Sequence, residues 1–408
     1  MHADSPILSI VIPTCNRACY ARSCISGLLT LPDKDIEIVI QDNSDTDELQ
    51  EFVKSFRVDR RLKYENVPER VDVITNCNRA LARAGGEYVC LLGDDDGIQP
   101  EIVAAARWAK NEGFDALVPS SAATFVWPDL SMSTRSAMRP GELRIVEFSG
   151  AITFPVVEKE LRKCLNDAGQ KFHDLPKLYY GLVRRDIMEQ VRRLCGSYFP
   201  AISPDMAASV AIAQFARRVC RIDYPLFLPG ASFKSTAGLG GLRQHVGRLS
   251  DQRHLPRDCE AKWTDMVPPF FSVPTIWAEA SLETLLACGR EDLLQEFDLP
   301  RLYAWLLMFH PGFMLMICRT YGTALQRTRR GCAAGVLALA VCLSQLALLR
   351  VKCLLRRFLK QPPCAQPWRL EGLKDIQAAV HELQVYLRSN GCSFGPQGLS
   401  VPSREAKR

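Results

Sequence analysis

The first 120 residues alternate between short apolar runs and amphipathic stretches, and this alternation limits the folds open to the chain. "ILSIVIP" (7–13), "IEIVIQ" (36–41), "LKYEN" (62–66), "EYVCLLG" (87–93) and "DALVP" (115–119) are rich in Val, Ile, Leu and aromatic residues. Between them, "RACYARSCISGLL" (17–29), "DELQEFVKSF" (47–56), "VDVITNCNRALARA" (71–84) and "PEIVAAARWAKNEG" (100–113) read as helices. Strands that are apolar throughout need cover on both faces, so the pattern predicts a mostly parallel sheet between two helical layers. Pro100 and Gly113 punctuate the fourth helix in the usual way.

Ligands of such sheets bind beyond the carboxyl ends of the strands. "PTCNR" (13–17), "QDNSDTD" (41–47) and "GDDDG" (93–97) follow the first, second and fourth strands and should open on one rim. The last is the most unusual. Asp94, Asp95 and Asp96 lie against an apolar strand, where like charges raise one another's pKa unless a cation relieves them. A hard ion such as Mg²⁺ or Mn²⁺ takes one or two protein carboxylates and completes its shell with phosphate oxygens and water. Bridging a diphosphate, it would stabilise charge on a leaving group. The alternative is that the acids simply face the N-terminal dipole of the helix at Pro100. Asp42 is placed to accept hydrogen bonds from a base or ribose, and Thr14, Asn16 and Arg17 to read a nucleotide's polar edge. Asp42, Ser44 and Asn16 are equally at home as turn and cap residues.

Beyond residue 120 the pattern weakens. "ATFVWPDL" and "ELRIVEF" suggest antiparallel strands, followed by a helix within 150–166. "SPDMAASVAIAQFARRV" (203–219) has Ser203 as N-cap, Pro204 at the first position and Asp205 in the first turn. "ASFKSTAGLGGLRQHVGRLSDQRH" (231–254) is Gly-rich and basic, either a linker or a functional lid. Residues 299–370 contain no Asp or Glu but eleven Lys and Arg. Within them, the uncharged "GCAAGVLALAVCLSQLALL" (331–349) approaches the length of a bilayer span. Three readings stand: a buried bundle helix, an in-plane helix with its basic flanks near anionic headgroups, and a true span. "LYAWLLMFHPGFMLMIC" (302–318) is similarly apolar but interrupted by His310, Pro311 and Gly312. The tail after about 390 is polar and expected to be disordered.

Composition narrows the function classes. A net charge of +6 over 408 residues does not mark a nucleic-acid binder. The sixteen cysteines are scattered without a C-x-x-C pair, and the N-terminus has no basic stretch before an apolar one. Reduced thiols in the cytoplasm are the expectation, not a zinc site or a disulfide framework.

"LSIVIPTCNR", "IEIVIQDNSDTD", "NCNRALARAGGEYVCLLGDDDGIQPE" and "SPDMAASVAIA", in this order, resemble family 2 glycosyltransferases of the GT-A fold. The resemblance is strongest over 7–119, continues to about 255 and does not reach the C-terminal third. It implies an α/β fold, a Rossmann-like mixed sheet with helices on both faces, followed here by a mainly helical region. It also implies an inverting transfer from a nucleotide-diphosphate sugar, with a UDP-sugar favoured, to an acceptor hydroxyl. In that scheme Pro13, Thr14, Arg17 and Asp42 hold the nucleoside. "GDDDG" supplies the Asp-x-Asp element in one of two frames, with Asp95 as the main ligand or with Asp94 and Asp96 paired. We assign Asp95 and Asp96 to the metal, Mn²⁺ or Mg²⁺, and Asp94 to the donor. Asp205 matches the family's carboxylate base, with Asp174 in reserve. Lys234, Ser235, Thr236, Arg243 and His245 are expected near the diphosphate, with His245 or His254 joining the metal. Cys15 stands where an aromatic residue is common.

The expected acceptor is a saccharide or lipid-linked saccharide of envelope polysaccharide or glycolipid synthesis, at the inner face of the plasma membrane with peripheral membrane contact. Expected domains are a nucleotide-sugar half (1–120), an acceptor half with the Gly-rich lid (121–258), a basic helical region (259–390) and a disordered tail (391–408). Two other functions compete. A sugar-nucleotide pyrophosphorylase needs a Gly-rich loop after the first strand, which "PTCNRA" lacks. A non-catalytic GT-A scaffold at a membrane surface would not need the intact set of aspartates.

Overall fold

The apolar runs form strands whose side chains divide the core in two. In β1 (Leu8–Thr14), Leu8, Ile10 and Ile12 face one cluster while Val11 faces the other. The same split recurs in β2 (Ile36–Asp42), with Ile36, Ile38 and Ile40 opposite Val39. Both faces are therefore dry, as strands without polar alternation require. A computed structural model of the chain describes residues 5–56, 58–130, 139–235, 238, 246–327, 331–358, 366–395 and 398–400.

α1 (Ala18–Leu29), α2 (Glu48–Lys54), β3 (Leu62–Asn66), α3 (Val73–Ala82), β4 (Tyr88–Leu91), the two-residue β5 (Gly97–Ile98), α4 (Ile102–Glu112) and β6 (Ala116–Pro119) complete the first half. β7 (Ala123–Val126) and β8 (Leu143–Ile145) pair antiparallel. β9 (Ile152–Thr153), α5 (Val157–Asn166), β10 (Leu182–Arg184), α6 (Arg185–Cys195), α7 (Pro204–Ile212), β11 (Val219–Ile222), β12 (Phe227–Leu228) and β13 (Gly230–Ala231) follow. The main sheet runs β3-β2-β1-β4-β10-β6-β11-β9. Its first four strands are parallel, and β10 is inserted antiparallel between β4 and β6. The sheet is thus mixed, in keeping with the expected GT-A class.

Register sets the rim. Thr14 pairs with Asp42, and Val11 pairs with Leu91 on the other side, so three more residues bring Asp94 level with Thr14. The loops after β1, β2 and β4 therefore open together.

The C-terminal third departs from the expected domain plan. α8 (Val273–Ala287), opened by a Ser272/Thr275 capping box, packs on α7. α9 (Leu299–Phe309) buries Leu302, Tyr303 and Leu306 in the core. α10 (Met314–Arg327) leaves α9 at a bend of 110°. α11 (Cys332–Phe358) runs 27 residues. The chain then returns to the first half. β14 (Trp368–Leu370) extends β8, and Ile376, Ala379, Leu383 and Leu387 of α12 (Ile376–Ser389) enter the core beneath α1 and α4. Residues 393–400, placed by sequence in a disordered tail, include the hairpin strands β15 (Ser393–Gly395) and β16 (Gly398–Ser400), with Phe394 edge-on to Trp108. Residues 401–408 lie outside the described set.

α12 also backs the acidic loop. A Cβ on Gly97 would fall 2.3 Å from Cγ2 of Val380, and Gln99 Nε2 donates to the Val380 carbonyl at 3.3 Å. Leu383, fully buried, anchors this contact. Leu383→Ala should cost about 2–4 kcal/mol of the full chain's stability in urea unfolding. A loss below about 1 kcal/mol would show that the returning segment is not part of the core.

Candidate functional site

The three aspartates divide between two kinds of partner. Arg17, at the entry to α1, pairs its Nε with Oδ1 of Asp94 at 2.8 Å and its Nη2 with Oδ2 of Asp95 at 2.9 Å. Asn16, at φ 58°, makes the turn that brings Arg17 there; its side-chain amide exchanges hydrogen bonds with Asp45. Thr14 Oγ1 donates to Oδ2 of Asp94, and Ser232 Oγ to Oδ2 of Asp95, each at 2.6 Å. Burial works against the Arg17 charge, but Asp94 and Asp95 outweigh it and raise the guanidinium's pKa. Burial also pushes the Asp94 carboxyl up, with Arg17 opposing.

Asp96 faces the other way. Expected as a metal ligand, it has no solvent exposure and accepts four hydrogen bonds. The donors are Gly93 N at 2.9 Å, Gly230 N at 2.6 Å, Tyr179 Oη at 3.1 Å and Tyr180 Oη at 2.9 Å. Burial first, then the Asp95 charge, lift its carboxyl to about 8. Both oxygens are engaged from within the protein, so Asp96 braces the loop. Gly230 cannot carry a side chain, because a Cβ would sit 1.9 Å from the Asp95 carbonyl.

The oxygens that face the rim belong to Asp94 and Asp95. Among the described residues nothing donates to Oδ1 of Asp95, and no cluster of three or more His, Cys, Asp or Glu could hold an ion. Two carboxylates suit an ion that draws its remaining ligands from phosphate and water, and they match oxygen-preferring Mn²⁺ or Mg²⁺.

Asp42 is fully buried, accepting from Ser44 N at 2.9 Å and Tyr64 Oη at 2.8 Å. The Thr14 carbonyl accepts from Asn43 N and from Asn76 Nδ2 of α3. Pro13 is half-buried on β1. Lys234 joins this group: its carbonyl accepts from Arg17 Nη1 at 2.8 Å, and its Nζ reaches the Asn16 carbonyl at 3.5 Å. The structure therefore gathers Thr14, Arg17, Asp42, Asp94, Asp95 and Lys234 on one rim. Thr236, Arg243 and His245 lie outside the described residues. His254 instead stacks edge-on to Phe271, and its carbonyl accepts from Val73 N at the start of α3.

Asp205 occupies the first turn of α7. Ser203, expected to cap that helix with its side chain, makes no such bond; its hydroxyl donates to Asp205 Oδ1. Met206 N donates to the same oxygen at 2.8 Å. Burial pushes the Asp205 carboxyl up, and these bonds oppose the shift. Asp174, the reserve base, is paired with Arg221 on β11 at 2.8 Å. Sequence reasoning missed Tyr179, Tyr180, Gly230 and Ser232. Nothing in the spacing of "YYG" (179–181) ties it to acids more than 80 residues away.

Residues 9–155 match the family model for glycosyl transferase family 2. The chain is 31% identical over 111 residues to the GalNAc(5)-diNAcBac-PP-undecaprenol beta-1,3-glucosyltransferase of Campylobacter jejuni, covering 27% of this chain and 36% of that protein. It is 30% identical over 97 residues to glycosyltransferase GlyA of Streptococcus pneumoniae, covering 24% of this chain and 14% of that one. The chain thus spans about a third or less of the length of these relatives. A crystal structure of S. aureus TarS 1–349 in complex with UDP-GlcNAc aligns over 98% of this chain and 97% of that one, at 16% identity and a TM-score of 0.49.

The buried Asp96 makes stability depend on pH. Between the usual 3.8 and about 8, the folded chain keeps a proton that the unfolded chain releases, so stability falls as pH rises through that window. Asp96→Asn has no such proton. Its stability should fall less steeply from pH 5 to 8, by up to about 1.4 kcal/mol per pH unit. Urea unfolding at four pH values checks this, and parallel slopes for the two proteins would contradict it.

Proposed function

Residues 9–155 match the model of glycosyl transferase family 2, and from that match we propose that the chain moves a sugar, with inversion, from a nucleotide-diphosphate sugar to an acceptor hydroxyl. The observation that carries the reading is the Asp94–Asp95 pair, held by one displaceable cation, Arg17, at the strand ends beside Asp42. A carboxylate pair of that kind is suited to exchange a protein cation for a metal ion and its diphosphate.

Asp95 and Asp94 would hold Mn²⁺ or Mg²⁺, which when bound supplies charge stabilisation for the departing nucleoside diphosphate. Arg17, freed from the carboxylates, can turn its guanidinium fork to phosphate oxygens, a pairing that guanidinium geometry favours. Lys234 adds a second positive charge, with Arg243 and His245 of the same glycine-rich stretch as further contacts. Thr14, Pro13 and Asp42 border the nucleoside end, with a UDP-sugar as the favoured donor. Asp205 is the base. Its buried carboxyl, raised above the usual range, is a better proton acceptor than an exposed one. It takes the proton of the acceptor hydroxyl while that oxygen bonds to the anomeric carbon. The bond from that carbon to the diphosphate oxygen breaks on the opposite face, so a single displacement inverts the centre and needs no protein nucleophile.

The acceptor we propose is a lipid-linked saccharide of envelope polysaccharide or glycolipid synthesis. The name of the Campylobacter relative, with its undecaprenol-linked substrate, supports this choice.

Nucleoside diphosphate release by the full chain, from a panel of nucleotide sugars with Mn²⁺ or with EDTA, tests the reading. Asp95→Ala should lower kcat/KM by about 100-fold or more, the scale of losing a main electrostatic group at the leaving oxygen, and should abolish the Mn²⁺-dependent rise in Tm with donor. Asp205→Asn should cut kcat about 10²–10⁴-fold while that Tm rise survives. Full turnover in Asp205→Asn would assign the base elsewhere. Donor binding without turnover in the parent chain would favour a scaffold.

A further inference from the structure

α11 carries an apolar surface that the other described residues do not cover. Only 6% of its most apolar window, within Cys332–Leu355, is buried, which sets it apart from a core helix of the same composition. This removes the buried-bundle reading of 331–349. One side of α11 is tied down. The Gly335 carbonyl accepts from Tyr321 Oη of α10 at 2.7 Å, and the Arg350 guanidinium lies 5.1 Å from the Phe309 ring centre at the end of α9. Cys342 lies within electrostatic reach of Asp298 and Arg301, at the start of α9. α11 therefore runs alongside α9, which is itself rooted in the core through Leu302, Tyr303 and Leu306.

The opposite side is left uncovered by the described residues. Leu337, Val341, Leu348, Val351 and Leu355 recur at spacings of three, four and seven and are all exposed. Ser344, on the same stripe, turns its hydroxyl back to the Ala340 carbonyl. Apolar exposure continues at the α9–α10 bend, where Leu315 is 84% exposed and Phe309, Met314 and Met316 are exposed beside it. Charge is one-sided: residues 299–370 hold eleven Lys and Arg and no acid, and Arg350 and Lys352 lie toward the end of α11.

We propose that α11 and the α9–α10 bend lie in the surface of an anionic bilayer, with the outer stripe among the acyl chains and the basic residues among the headgroups. One feature favours lipid over a second copy of the chain. Val336, Leu349 and Leu354 extend the apolar surface around both flanks of the stripe, where a coiled-coil partner would call for charged residues. Another favours an in-plane helix over a span. The 24 residues Cys332–Leu355 could cross a bilayer by length, about 36 Å at 1.5 Å per residue. To do so the helix would have to leave α9, which is fixed in the globular core. In plane, the stripe and the basic end act together, apolar burial adding to attraction for anionic lipid.

Flotation of the full chain with vesicles tests this. Binding should be at least tenfold greater to phosphatidylcholine vesicles containing phosphatidylglycerol than to phosphatidylcholine alone. The double variant Leu337→Glu, Leu348→Glu changes only exposed positions and should keep the parent's Tm while losing at least tenfold in flotation. Equal flotation of variant and parent, or no flotation of the parent, overturns the proposal. So does a parent that is dimeric without lipid and becomes monomeric in the variant. Cys332 and Cys353, both exposed near the two ends of α11, report the geometry. On bound vesicles both should react equally with a membrane-impermeant maleimide added outside, as read by peptide mass spectrometry. Protection of one by tenfold, relieved by detergent, would mean a span and overturn the in-plane arrangement. Donor cleavage in detergent is measured apart from these assays, so failure here leaves the catalytic reading standing.

Discussion

Three adjacent carboxyl groups can be buried at the end of a strand only if their charge is paired or taken up by a proton, and much of the rim is built to do this. Arg17 takes two of them from the front. The third is enclosed from behind by two tyrosine hydroxyls and two backbone amides. The contacts that achieve this come from three distant parts of the chain: the turn after β1, the loop before β10, and β13 with the residue after it. A charge problem confined to three residues thus fixes how the strand-end loops and β13 fit together. The front pairing is reversible in principle, since Arg17 lies near the surface, whereas the rear set is fully enclosed.

Much of the first half was legible because its signals are local. Ile10 and Ile12 against Val11, and Ile38 and Ile40 against Val39, state a two-faced sheet in the pattern itself. Once the strand order is known, register alone brings Thr14, Asp42 and Asp94 to one edge. The division of labour among Asp94, Asp95 and Asp96 was not legible. Alternation along the loop says nothing of which acid turns inward, and the partners that decide it, Tyr180 and Gly230, lie 84 and 134 residues away. The return of α12 was legible in retrospect: Ile376, Ala379, Leu383 and Leu387 form a helical stripe. It was overlooked because the basic, apolar segment before it suggested a separate region.

The two proposed faces make opposite physical demands. The rim concentrates buried charge and needs rigid support, which β13 and α12 provide from opposite sides. The surface of α11 carries little charge along its outer stripe and makes its contacts with the body along one edge. A lipid-linked acceptor would meet both, its head at the rim and its tail in the layer that the stripe faces.

The path of the backbone has a consequence for how the molecule matures. Val380, which closes the back of the acidic loop, lies more than 280 residues downstream of the loop it supports. Every residue of α9, α10 and α11 leaves the ribosome first. A nascent chain therefore displays its most water-averse segment while its acidic rim still lacks its rear support. That order of synthesis would let the growing polypeptide reach a lipid surface before the rim is complete, and it keeps any prematurely terminated product from assembling the intact pocket.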